Sequence, residues 1–178
     1  LRNIGLAMKK GIIMNARIFL AALLFVATGA AAQSVEGDDP VYVLDSVVTT
    51  QAAIGKVTPD RIGLITIAKG NKAVLKYGSQ AANGVVYIET KPFARKRVNA
   101  LLSSESPAYD SLLRQYGNDS SFYFIVNGKP ITPTDETGLM TVDKKTFRSV
   151  KIISDKAVQD KYQVMDKKAG IIIPSTED

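Results

Sequence analysis

An internal repeat organises most of this 178-residue chain. Its first half opens on the β-branched and aromatic run of residues 41–49, which is broken by Asp45-Ser46 and predicts a strand with a turn. The second half opens on the apolar residues 122–126, followed by Asn127-Gly128, a strong hairpin signal between apolar runs. The two halves therefore begin in the same way.

Each half continues with a strand, a helix and a further strand. The second strands are predicted over residues 61–68 and 147–153, and the last strands over 85–90 and 169–175. The helices are predicted over 72–82, with a break at Gly78, and over 156–168. Strand 61–68 is apolar on both faces, and we expect both faces to be covered. The repeated order predicts an α+β fold of two tandem β-β-α-β units with small mixed sheets.

Particular residues align the two halves. Tyr77 and Tyr162 occupy equivalent helical positions and are expected to face the sheet. Gly84 and Gly170 both precede the last strand, and we pair them as left-handed positions that follow a helix. Three residues form the apolar face predicted for the second helix: Val158, Tyr162 and Met165.

A helical linker separates the two halves. Pro107 divides it into two predicted helical pieces, because apolar residues recur at helical spacing on both sides of the proline. The basic triplet Arg95-Lys96-Arg97 fits either a contact with acidic lipid or a partner, or a solvated helix start, and we favour the second interpretation. The expected divisions are a signal peptide (1–32), a first unit (33–91), the linker (92–121) and a second unit (122–178).

The first 32 residues predict export. Lys9, Lys10 and Arg17 precede the apolar run of residues 18–27, and three alanines at 30–32 provide a cleavage site before Gln33. The run is shorter than the roughly 20 residues that span a bilayer, so we expect a cleaved signal peptide. The alternative is an uncleaved membrane anchor. Two candidate start residues are present, Met8 and Met14.

Composition and charge exclude several classes of function. The whole chain carries +6, but four of its 23 basic residues and none of its 17 acidic residues precede Gln33, which leaves +2 (19 − 17) after cleavage. A nucleic-acid partner therefore loses most of its support. The chain has no Cys, His or Trp, which excludes thiolate nucleophiles, Ser-His-Asp triads and nearly all zinc sites.

No short motif indicates a chemistry. The segment Gly70-Asn71-Lys72-Ala73 lacks the hydroxyl of a phosphate-binding loop, and residues 134–138 lack the spacing of a calcium loop. Asn118-Asp119-Ser120 matches a glycosylation acceptor but more often marks a turn. We therefore predict no catalytic, cofactor-binding or metal-binding residue, and a chain that is not an enzyme.

Five segments of the first half carry a family resemblance. They are residues 41–45 (VYVLD), 58–62 (TPDRI), 68–70 (AKG), 75–78 (LKYG) and 82–91 (ANGVVYIETK). These segments resemble the plug domain of TonB-dependent outer-membrane receptors. The second half is similar in a looser way, with Gln163 in the place of Gly78.

The resemblance implies a stand-alone, plug-like tandem repeat. The chain shows no succession of alternating ten-residue segments that would build a barrel, so we expect no transport by this chain alone. The expected function is an exported, non-enzymatic module of the periplasm or outer membrane that binds an envelope protein. An outer-membrane receptor and an energy transducer are the partners that the resemblance implies.

Two functional hypotheses make different structural predictions. A protein-binding module predicts an open sheet edge, suited to strand addition, and a flat apolar patch. The alternative is a periplasmic protein that binds a small nutrient or glycan through its tyrosines. That alternative predicts a concave pocket in which several tyrosines converge.

Overall fold

The computed structural model describes residues 39–174, which belong to one compact unit, Gly37–Asp178. The expected signal peptide, residues 33–38 and the last four residues lie outside the described residues. The described chain is α+β, as predicted, with two four-stranded mixed sheets and several helices. Between residues 39 and 174, no helix has the length and apolar character needed to cross a membrane.

The first sheet has the strand order β2-β1-β4-β3. Its strands are β1 (Val41–Leu44), β2 (Val47–Thr49), β3 (Ile62–Ala68) and β4 (Val85–Thr90). Strand β4 is parallel to β1 and antiparallel to β3. The connections contain α1 (Gln51–Ile54) and a 3₁₀ turn (Pro59–Arg61) before β3, then α2 (Asn71–Tyr77) and a second 3₁₀ turn (Ser79–Ala81) before β4.

Two helices follow the first sheet, α3 (Lys91–Glu105) and α4 (Pro107–Tyr116). The hydroxyl of Thr90 accepts from the backbone N–H of Phe93 and caps α3, and the hydroxyl of Ser106 accepts from that of Tyr109 and caps α4. Pro107 occupies the first position of α4, where a missing N–H costs no helical hydrogen bond. The predicted division at this proline is confirmed.

The second sheet repeats the topology of the first, with the order β6-β5-β8-β7. Its strands are β5 (Phe122–Val126), β6 (Lys129–Pro130), β7 (Lys151–Ser154) and β8 (Ala169–Ile173). Helix α5 (Thr137–Met140) precedes β7, and α6 (Asp155–Tyr162) connects β7 to β8. The predicted repeat is confirmed, with the hairpin expected at Asn127-Gly128. In the first half, the run predicted as one strand with a turn, residues 41–49, forms two paired strands, β1 and β2.

One backbone hydrogen bond fixes the correspondence between the sheets. The backbone N–H of Asp45 donates to the carbonyl of Ile88, and the backbone N–H of Asn127 donates to the carbonyl of Ile173, each with an N···O distance of 3.0 Å. The last strands therefore correspond at an offset of 85 residues (88 to 173), which equates Gly84 with Ala169 rather than with Gly170. The predicted pairing of the two glycines is wrong.

Gly170 has a packing role rather than a conformational one. Gly84 has φ +99°, as expected for a left-handed position, whereas Gly170 lies within β8. A Cβ atom at Gly170 would lie 2.6 Å from Cγ1 of Ile153 and 2.7 Å from Cγ2 of Val158. The glycine therefore allows α6, which carries Val158, to pack closely on the second sheet.

Two predicted elements are shorter than expected. Helix α6 ends at Tyr162 because Gln163 adopts the left-handed conformation (φ 56°, ψ 32°), which leaves Met165 exposed outside the helix. Strand β7 begins at Lys151 instead of residue 147. The preceding chain turns at Asp143, whose carboxylate accepts the backbone N–H groups of residues 145 and 146.

In each repeat, the helix before the last strand packs on one face of the sheet. In the first sheet, Val41, Val43 and Val85 pack beneath α2 and the following 3₁₀ turn, and the ring centroid of Tyr77 lies 6.2 Å from that of Tyr87. In the second sheet, the ring centroid of Tyr162 in α6 lies 5.4 Å from that of Tyr123. The two helical tyrosines therefore face their sheets, as predicted.

The main core lies on the other face of the second sheet, beneath α3, α4 and α5. Its buried residues come from these helices, from the segment after α5, and from β5 and β8: Val98, Leu101, Leu102, Tyr109, Phe122, Phe124, Val126, Leu139, Val142, Ala169, Ile171 and Ile173. The linker helices are thus an integral part of the second sheet's packing.

Candidate functional site

Strand β3 is an edge strand that directs peptide groups away from its sheet. The carbonyl of Ile88 accepts from Asp45, which directs the peptide groups of Ile88 towards β1. Ile65 lies directly opposite Ile88, so its own N–H and C=O point away from β4. The same geometry applies to Ile67, which lies opposite Val86. Strand β3 therefore carries outward peptide groups at two alternate positions.

The side chains of β3 are also exposed. Ile65 and Ile67 retain 54% and 62% exposure, and Val47 on β2 retains 67%. By strand alternation and register, these three side chains share one face of the first sheet with Tyr42, Leu44, Val86 and Ile88. Ile88 is buried and the other three inner residues are half-buried, but Val47, Ile65 and Ile67 are open to solvent, and we call this set the uncovered face. The expectation that both faces of β3 would be covered is wrong.

The sequence did contain a signal for this exposure. Two sheets have four faces, and the predicted helices were one per unit plus a single linker pair. Three faces could therefore be covered, and both linker helices lie on the second sheet. An apolar strand is suited to burial, but coverage depends on a second layer elsewhere in the chain.

Strand β3 lacks the usual features that block strand pairing. Its seven residues include no charged residue and no proline, and the nearest charges are those of Arg61 and Lys69 at its two ends. The other edge strands are shorter, with three residues in β2, two in β6 and four in β7. Long uncharged edges are templates for pairing with another strand, so β3 is the best-developed edge for such contact.

The basic triplet is a structural clasp. Arg95 pairs with Asp119, with Nε 2.7 Å from Oδ2, and also with Glu136. Arg97 pairs with Glu89 and donates to two backbone carbonyls. Only Lys96 is exposed to solvent. The favoured interpretation of a solvated helix start is therefore wrong for the two arginines, which are occupied by internal contacts.

A buried polar network lies next to this clasp. Asp119 is almost fully buried and accepts from Arg95 and from the side-chain amide of Asn99. The hydroxyl of Tyr109 donates to Oδ1 of Asn99 at 2.7 Å. Burial raises the pKa of Tyr109, and the Asp119 carboxylate adds to this effect, so the hydroxyl remains a proton donor. All of these polar atoms are satisfied by one another, which is typical of a structural network.

Neither of two cavities in the described part of the chain brings several tyrosines together. A cavity of about 530 Å³ lies along the start of β5 and contains one tyrosine, Tyr123, with Arg95 already paired at its wall. A second cavity of about 360 Å³ contains Tyr87 beside the Glu89–Arg97 pair. The converging tyrosines expected for the small-ligand alternative are absent from both cavities.

The remaining sequence candidates are structural. The side chain of Asn118 accepts from the backbone N–H of Ser120 at 3.0 Å, so the glycosylation-like motif forms the predicted turn. Among residues 39–174, no three carboxylates come together in a group that could hold a metal ion. In comparisons with family models, with curated proteins and with solved structures, the chain matches none.

Proposed function

We propose that this chain is an exported, non-enzymatic protein-binding module of the bacterial cell envelope, which receives a strand of a partner protein along β3. The observation that carries the proposal is the geometry of that strand. Seven uncharged residues form a sheet edge with outward peptide groups at Ile65 and Ile67. Strand addition uses such groups for affinity and neighbouring side chains for specificity.

The resemblance of residues 41–91 to the plug domains of TonB-dependent receptors supports an envelope partner. An outer-membrane receptor or an energy transducer is the partner class that follows. The predicted signal peptide at residues 1–32 supports export to the periplasm or the inner side of the outer membrane. The sequence thus supports the partner class and the compartment, and the β3 edge is the proposed binding surface.

A proline at position 65 tests the edge. The N–H of Ile65 points away from β4, so Ile65→Pro removes an outward donor without removing a bond within the sheet. The full chain, tagged at its C-terminus and produced in its native cells, would be captured with its partners and analysed by mass spectrometry. We expect a specific envelope protein to bind the wild-type chain and to be lost from Ile65→Pro.

The matched control is Ile65→Val, which keeps the N–H, the β-branched shape and the apolar side chain. We expect this variant to retain the partner. Circular dichroism must show that both variants are folded. The proposal fails if no envelope protein is captured, or if a folded Ile65→Pro variant captures its partner as well as the wild type does.

The small-ligand alternative rests on the cavity beside β5. Its volume of about 530 Å³ lies in the usual range for ligand sites, and Phe122, Phe124 and Ile131 contribute apolar surface. A screen of glycans and envelope metabolites by ligand-observed NMR tests this alternative. A bound compound whose signal is lost in Thr132→Trp, a change that narrows the cavity, would favour it over strand addition.

A further inference from the structure

The internal repeat shows what kind of structure covers the equivalent face of the second sheet. At the offset of 85 residues, Ile65 corresponds to Val150 and Ile67 to Ile152. Both second-sheet residues pack against the main core, whereas both first-sheet residues are exposed. The same sheet face is therefore apolar in both repeats but is completely covered in only one.

Helices cover this face in the second repeat. Val98, Leu101 and Leu102 of α3 pack over it, with Tyr109 of α4. The three aliphatic residues recur at i, i+3 and i+4, which places them on one side of the helix. The equivalent strands of the first sheet therefore present an apolar face of the kind on which a helix with an aliphatic stripe packs.

We infer that the uncovered face binds an amphipathic helix of the partner protein, with aliphatic residues at i, i+3 and i+4. This inference rests on the proposed protein-binding function and names a second contact beside the β3 edge. A second copy of the chain fits less well, because the aliphatic stripe of its own α3 is already buried in its main core. A strand added to β3 would extend the same face towards the helix.

Site-specific photo-crosslinking tests the inference. The photoreactive residue p-benzoyl-phenylalanine would replace Val47 or Ile67 in the full chain, in its native cells. Val48 provides the matched control, because it is also exposed on β2 but points to the opposite face. Crosslinked partner residues would be identified by mass spectrometry. We expect crosslinks from positions 47 and 67, not from 48, to partner residues spaced by three and four.

Each other outcome overturns the inference. Partner residues that alternate at a spacing of two would identify a strand on the face, and crosslinks within pairs of this chain would identify a second copy. Equal crosslinking from all three positions would show that the face has no specific occupant. A lack of crosslinks from 47 and 67, with the partner still captured through the β3 edge, would also overturn it.

Charge substitutions provide a second measurement. Val47→Lys and Ile67→Lys should each weaken capture of the partner about tenfold, the size expected for residues at the centre of an interface. Val48→Lys should leave capture unchanged. If all three folded variants capture the partner equally, the helix contact is absent but the proposed function stands. If the wild-type chain captures no partner, the proposed function itself fails.

Discussion

The guanidinium group of Arg97 lies against the carboxylate of Glu89, with Nε 3.1 Å and 2.9 Å from the two carboxylate oxygens. The same guanidinium donates to the backbone carbonyls of Met140 at 2.6 Å and Val142 at 2.8 Å. Glu89 belongs to β4 of the first sheet, whereas Val142 belongs to the core of the second. One side chain of α3 therefore connects the two repeats.

Removing this clasp should destabilise the protein. Arg97→Ala leaves two carbonyls and one carboxylate without their donor, which should lower the free energy of unfolding by about 1–3 kcal/mol. Arg97→Lys should recover only part of the loss, because an ammonium group cannot form the same fork of bonds. Urea denaturation measures both effects. The exposed neighbour Lys96→Ala is the control, and an equal loss there would refute the role of Arg97.

The hydroxyl of Tyr109 should contribute more to stability than that of Tyr116. Both rings pack edge-on against Phe122, with ring centroids 5.9 Å (Tyr109) and 6.0 Å (Tyr116) from its own. The hydroxyl of Tyr109 donates to Asn99 within the buried network. Tyr109→Phe leaves the Asn99 carbonyl without its donor and should cost about 1–3 kcal/mol. Tyr116→Phe is the matched control and should cost less. Similar losses of melting temperature for the two variants would contradict this assignment.

A methyl group at Gly170 should be poorly tolerated. Its Cβ would lie well inside van der Waals contact with Ile153 and Val158, so Gly170→Ala should cost about 1–3 kcal/mol through overpacking. The double variant Gly170→Ala/Val158→Ala should recover little, because Ile153 still obstructs the methyl group. Gly55→Ala is the control, since the nearest atoms to its Cβ would be 3.7 Å away. A neutral Gly170→Ala would show that α6 can shift on the sheet.

The turn at Asp143 should give the protein a stability component that is lost in acid. Burial raises the pKa of Asp143, but the backbone N–H groups of Thr146 and Lys145 stabilise the carboxylate and lower its pKa overall from 3.8. A lowered pKa in the folded state means that the stabilisation is complete above the unfolded value and disappears as the pH falls through the folded value.

The variant Asp143→Asn isolates this component. The difference in melting temperature between the wild type and Asp143→Asn should be constant from about pH 5 to 7. It should shrink as the pH falls from about 4, the pKa of the unfolded chain, through the lower pKa of the folded state. Circular dichroism melts at several pH values provide the measurement. A difference that stays constant down to about pH 2 would exclude the carboxylate charge as its source.

Local patterns predicted the repeat well. The turn pair Asn127-Gly128 produced the expected hairpin, since both residues have positive φ, and Asp45-Ser46 has the same conformation in the first half. Gly78 ends α2, as predicted. Turn geometry and hydrophobic period depend on residues close in sequence, so they can be recognised before the chain is folded.

Errors arose where a distant contact or a single unusual backbone conformation decided the result. Gln163 takes the left-handed conformation that ends α6, although glutamine does not signal such a position. The role of Gly170 depends on a side chain of α6 that packs over it. The arginines of the triplet gain partners 24 to 45 residues away, which charge patterning along a helix does not indicate.

The order of the strands and helices, their repetition and the absence of cysteine and histidine chemistry follow directly from the amino-acid sequence. Which apolar faces are covered depends instead on how the helices pack in three dimensions. Helices α3 and α4 follow the first sheet in the chain but pack on the second, because their apolar stripes and those of β5 and β8 form one core. The equivalent face around Ile65 and Ile67 therefore keeps its exposure to solvent, and this difference between two similar halves provides the proposed binding surface.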